Sequence, residues 1–115
     1  MPLLTVVSHG CNRLVLLTRH HAIKLPALRS WRDFLFGLLN NMNEADWHDE
    51  HPAYCPVTWA APLGLALVMP RADILDEEAF VALSGNLPEL DGAEHKPSSW
   101  GWLAGHLVAV DYGWR

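Results

Sequence analysis

The sequence predicts an α+β fold: an antiparallel sheet of about five strands, one main helix, a short second helix and a C-terminal β-hairpin. Three observations carry this expectation. Short β-prone runs separated by polar breaks fill the chain up to Pro26. One apolar stripe at helical spacing begins at Trp31. Two short runs around Ala104-Gly105 close the chain as a hairpin. No repeat, low-complexity tract or interdomain linker intervenes, so residues 1–115 read as a single minimal domain.

The elements follow in order. Residues 3–7 form a first strand, Ser8-His9-Gly10-Cys11-Asn12 a turn, and residues 13–18 a second strand rich in Leu and Val. Arg19-His20 breaks the run. A third strand over 21–25 ends at Pro26, which has no donor for a ladder. Ser30 is the expected N-cap of a helix, with Asp33 three residues on. Trp31, Phe34, Leu35, Leu38, Leu39 and Met42 then share one face, the face expected to pack on the core. Asn40-Asn41 weakens the helix and is where a bend or restart is expected, before Glu44-Ala45-Asp46-Trp47. Residues 48–54 read as a polar loop, 55–61 as a strand, Pro62-Leu63-Gly64 as a turn and 65–69 as another strand. Pro70-Arg71-Ala72-Asp73 breaks out of it. Asp76 opens a short helix, with Glu77 and Glu78 placed where the helix dipole favours anions, and the helix stops near Gly85-Asn86. Residues 87–99 are irregular, and 101–103 pairs with 106–110.

Hydrophobic residues make up 50% of the chain and charged residues 18%, which excludes extended disorder. The net charge of −5 disfavours a binder of nucleic-acid backbone, since such proteins carry a basic excess. Two cysteines, Cys11 and Cys55, cannot make a disulfide framework and suit a reducing cytoplasm. No apolar run is long enough to span a bilayer, so no membrane partner is expected.

Four features lie in one order. A hairpin leads to a strand carrying Ala22-Ile23-Lys24. A helix carries Glu44. Two strands lead to Met69-Pro70-Arg71-Ala72. A turn, His95-Lys96-Pro97-Ser98-Ser99, precedes a hairpin that ends in Asp111-Tyr112-Gly113. In this order and setting the chain resembles the protein-kinase family, reduced to its nucleotide-binding core, with a sheet and main helix like that family's N-lobe. The resemblance implies ATP and magnesium as cofactors. It gives Lys24 the phosphate, Glu44 the positioning of Lys24, Asp111 the metal, and residues 69–72, including Met69 and Arg71, the adenine-binding hinge. On an unbroken helix from Trp31, Glu44 falls opposite the apolar stripe, because thirteen steps of roughly 100° come to about 220°. Pairing with Lys24 is therefore expected only if the helix breaks at Asn40-Asn41; otherwise Glu44 is a solvated surface acid.

The chain departs from the family's pattern in several places. Gly10 alone stands in the turn where the family's phosphate loop has several glycines. Glu94, two places before Lys96-Pro97, takes the position of the catalytic aspartate, and Ser99 that of an asparagine metal ligand. Glutamate is longer by a methylene, and a misplacement of about 1 Å can cost roughly 100-fold in rate. Serine offers a hydroxyl in place of a carbonyl oxygen. Only two residues follow Gly113, so no counterpart is expected for the segments with which the family grips a peptide substrate.

The expected function is thus a degenerate, pseudokinase-type domain that acts by binding a protein partner. By analogy, proteins reduced this far are carried by phages and mobile elements and aimed at host or defence targets. A minimal ATP/Mg phosphotransferase using Lys24, Glu44 and Asp111 is the alternative. A second alternative is a metal-binding domain built from His48, His51 and Cys55, with Asp46 and Asp49 nearby. Trp100, Trp102 and Trp114 either pack inside or form an exposed patch for a partner, and a homodimer would cover such a face.

Overall fold

The computed structural model describes the backbone of residues 5–9 and all of residues 13–113. Gly10, Cys11 and Trp114 lie outside the described residues. The fold is α+β, with β1 (Thr5–His9), β2 (Arg13–Leu17), β3 (His21–Pro26), α1 (Trp31–Trp47), β4 (Trp59–Ala60), β5 (Leu67–Pro70), β6 (Asp73–Ile74), α2 (Glu77–Leu83), β7 (Trp100–Leu103) and β8 (His106–Ala109). Short 3-10 turns over Pro62–Gly64 and Pro97–Ser99 link neighbouring elements. One sheet has five strands in the order β1-β2-β3-β5-β4, and a second has three, β6-β7-β8. Every pairing in both is antiparallel.

Register decides which side chains share a face. Val15 lies opposite Lys24, Leu17 opposite Ala22, and Arg13 opposite Pro26. Ala22 lies opposite Met69 and Lys24 opposite Leu67. One face of the sheet therefore carries Arg13, Val15, Lys24, Leu67 and Met69 together, all of them buried. The apolar core lies between the two sheets and gathers Leu67 and Met69 with Phe80, Trp100, Val108, Ala109 and Tyr112.

Both helices begin where their caps predict. The Ser30 hydroxyl accepts from the Asp33 amide at 3.1 Å, and the Asp76 carboxylate from the Ala79 amide at 2.7 Å. Each such cap is worth about 1 kcal/mol.

Four expectations need correction. The main helix runs unbroken through Asn40-Asn41. Its apolar stripe does not pack on the core: Trp31, Leu35, Leu39 and Met42 are exposed, while Gly37, Asn40, Asn41 and Glu44 are buried. The sheet face beneath it carries Arg13 and Lys24, and buried cations need oxygen acceptors rather than methyl groups. The strand expected over 55–61 shrinks to β4, because Pro56 cannot donate and Cys55 bonds instead to Ala109 of the second sheet at 2.8 Å. The break after Pro70 holds a two-residue strand, β6, whose Asp73 and Ile74 pair with Trp102 and Gly101, so the closing hairpin is the larger part of a three-stranded sheet.

Candidate functional site

The Lys24 ammonium on β3 meets the Glu44 carboxylate on α1 at 2.7 Å, with both side chains buried. The pairing needs no break in the helix. The whole helix is turned so that its polar edge faces the sheet. Asn41, one turn before Glu44, bridges three elements. Its amide nitrogen donates to the carbonyls of Lys24 at 3.1 Å and Gly64 at 2.9 Å, and its oxygen accepts from Arg13 at 3.2 Å. The two asparagines that read as helix weakeners are therefore part of its inward face.

Asp111 follows β8 and is brought to the same place. Lys24 donates to the neighbouring carbonyl of Val110. The group that joins the two halves is Arg13, at the start of β2. Its guanidinium donates to both Glu44 oxygens, at 2.7 and 3.1 Å, and to Asp111 Oδ1 at 2.7 Å. The Glu44 Oε2 atom also accepts from the backbone amides of Tyr112 and Gly113, at 2.8 and 3.0 Å. Two cations and two carboxylates thus form one formally neutral, almost wholly buried cluster, with Lys24 also bordering a cavity.

The electrostatics follow from the geometry. Burial alone would raise the pKa of Glu44, but the charges of Arg13 and Lys24 and their hydrogen bonds outweigh it and hold the carboxyl down to about 2. Burial and the adjacent Arg13 charge lower Lys24, against the pull of Glu44 and Asp111. Arg13 itself is raised, the two carboxylates overcoming its burial. Burial also pushes the Cys55 thiol up to about 11, which leaves it an inert, protonated thiol at neutral pH.

The Tyr112-Gly113 turn is clamped onto α1. Asn43 donates to the Gly113 carbonyl at 2.9 Å, and a Cβ at Gly113 would sit 2.7 Å from the Asn40 carbonyl oxygen. The Tyr112 hydroxyl donates to the Cys55 carbonyl at 2.6 Å, and its ring lies 4.4 Å from that of Tyr54.

Of the remaining predicted positions, Met69 and Arg71 come together with Lys24 around one cavity, and Glu94 and Lys96 lie on the surface. Glu94 and Lys96 pair with each other at 2.9 Å on the surface. Ser99 is buried, and its carbonyl accepts from Val110 at 2.8 Å, while its hydroxyl has no partner among the described residues. Met69 is buried at the end of β5. Arg71 reaches back to the carbonyls of Thr18 and His20, at 3.0 and 2.9 Å. Met69 and Arg71 join Val15, Ala22, Lys24 and Val110 around a mostly apolar cavity of ≈ 380 Å³. His48 and His51 each accept a backbone amide through Nδ1, from Val57 and Ala53, and buried Cys55 lies against the Pro70 carbonyl. Among the described residues, no three His, Cys, Asp or Glu side chains are gathered to hold a metal. Trp100 is buried with its indole nitrogen on the Glu94 carbonyl at 3.0 Å, whereas Trp102 is 41% exposed.

Arg13 is the residue that motif order does not point to. Its signal is parity: it lies two places before Val15 on β2 and so shares the inward face, where a buried cation demands an acid. No helix among the described residues is long and apolar enough to cross a membrane. No protein-family model and no curated protein matches this chain.

Proposed function

We propose that the chain is a degenerate kinase-like domain that transfers no phosphate and works by binding a protein partner. One observation carries the reading: the Arg13 guanidinium sits 2.7 Å from Asp111 Oδ1 while also spanning Glu44. A magnesium ion needs oxygen ligands at about 2.0–2.1 Å in near-octahedral array. At Asp111 it would meet an oxygen already taken and a like charge beside it. The cluster is already neutral and offers no surplus negative charge to a divalent cation. The surface pairing of Glu94 with Lys96 adds to this, since neither side chain is turned to the Arg13–Asp111 cluster. On this reading the lysine, the acid and the closing aspartate persist as a structural knot.

Several large apolar side chains stand exposed, which supports a role in binding. The partner is a protein, and neither nucleic acid nor a membrane is implicated by the acidic charge balance. A second reading, nucleotide binding, draws on the cavity between Met69 and Lys24, whose apolar walls suit a planar heterocycle.

The test is affinity capture from the native host with the unaltered chain and with Asp111→Asn, followed by a labelled-phosphate transfer assay on the captured complex. The expected result is one specific partner retained by both forms and no transferred phosphate. Transfer that disappears in Asp111→Asn would overturn the reading in favour of a working phosphotransferase.

A further inference from the structure

We infer that the outward face of α1 is a self-association surface, on which a second copy of this chain packs its own α1 antiparallel. This inference does not depend on what the charge cluster does.

The surface is defined by exposure. Trp31 is 79% exposed, Leu35 57%, Leu39 45% and Met42 37%, although they lie on one stripe of one helix. At about 1.5 Å per residue the stripe from Trp31 to Met42 runs some 17 Å of the helix. Leu28, 86% exposed, continues it past the N-terminus and shares an open hollow of ≈ 280 Å³ with Trp31 and Phe34. Leu63 and Leu65 flank it, 72% and 50% exposed, on the turn whose Gly64 packs against the Leu38 backbone. Large apolar side chains gathered on one exposed face mark an interaction surface. The four-residue spacing of Trp31, Leu35 and Leu39 makes a ridge of the kind that interlocks with another helix.

Charge complementarity identifies the occupant and its direction. Arg29 and Arg32 lie on the exposed side near the start of α1; Asp46, Asp49 and Glu50 are exposed at its end. A parallel partner would set Arg32 against Arg32 and Asp46 against Asp46. An antiparallel second copy sets Arg32 against Asp46 twice and opposes the two helix dipoles. Residues 32 and 46 are equidistant from Leu39, which lies in the stripe, so one two-fold axis through Leu39 pairs the charges and sets Met42 against Phe36 and Trp31 against Trp47.

Light scattering on the full chain, at tens of micromolar, should give twice the 12.9 kDa chain mass. Leu39→Asp and Leu35→Asp, each with an unchanged far-UV circular dichroism spectrum, should run at the single mass. Arg32→Glu and Asp46→Arg should each weaken the dimer about tenfold, by two like-charge contacts per dimer. The combined Arg32→Glu/Asp46→Arg chain should regain it. A single-mass native chain would overturn the inference and leave the face to a partner of different sequence. A dimer indifferent to Leu39→Asp, or a charge swap that fails to restore association, would overturn it as well.

Discussion

At the scale of the residue, Glu44 is the acceptor for five donors: two from Arg13, one from Lys24 and the amides of Tyr112 and Gly113. Removing its charge leaves two buried cations facing Asp111 alone. Glu44→Gln should therefore cost about 3–5 kcal/mol in urea unfolding. Lys24→Met should cost clearly less, because Arg13 still answers Glu44 and a poorly solvated ammonium is removed. A phosphate-binding lysine would add to that small stability loss a loss of nucleotide binding, which is not expected here. The pH dependence has a definite sign. The Glu44 carboxyl is held at about 2, below its ordinary 4.5, so it stabilises the fold above pH 4.5 and loses that contribution as pH falls toward 2. Chemical denaturation between those values should show the native chain losing stability more steeply than Glu44→Gln. Lys24, Glu44 and Asp111 were legible through their order along the chain. Arg13 was not, because an arginine next to a glycine turn reads as surface until the strand register shows which face it takes.

At the scale of the element, α1 shows where periodicity stops being informative. The spacing of apolar residues correctly predicts a helix with two faces, and Ser30 marks its start. It does not say which face is inward. That choice was made by the sheet, whose Arg13 and Lys24 require the polar edge with Asn41 and Glu44. The short elements were illegible for a simpler reason: two-residue strands such as β4 and β6 carry no period, and their pairing is set by distant partners. Two glycines fix how close α1 can approach its neighbours. A Cβ at Gly113 would meet the Asn40 carbonyl at 2.7 Å, and Gly113→Ala should cost about 1–3 kcal/mol by displacing the clamped turn. Gly64 has φ +74° and would put a Cβ 2.1 Å from the Leu38 carbonyl, so Gly64→Ala should be the more damaging of the two. Thermal unfolding of both variants measures the difference.

At the scale of the whole molecule, the cluster ties both sheets to the main helix: Arg13 and Lys24 come from the first sheet, Glu44 from α1, and Asp111 from the end of the second. The sequence order anticipated this meeting but not its closure by a guanidinium. On the proposed reading, that closure makes the cluster a structural knot. The decisive measurement is the melting temperature of the chain with millimolar ATP and magnesium. A ligand at about 100 times its dissociation constant stabilises by roughly 2.7 kcal/mol, a shift of several degrees in a domain of this size. No shift is expected if the cluster only holds the fold together. A shift of that size, abolished by Lys24→Ala and by Asp111→Asn, would mean that the site takes nucleotide and metal.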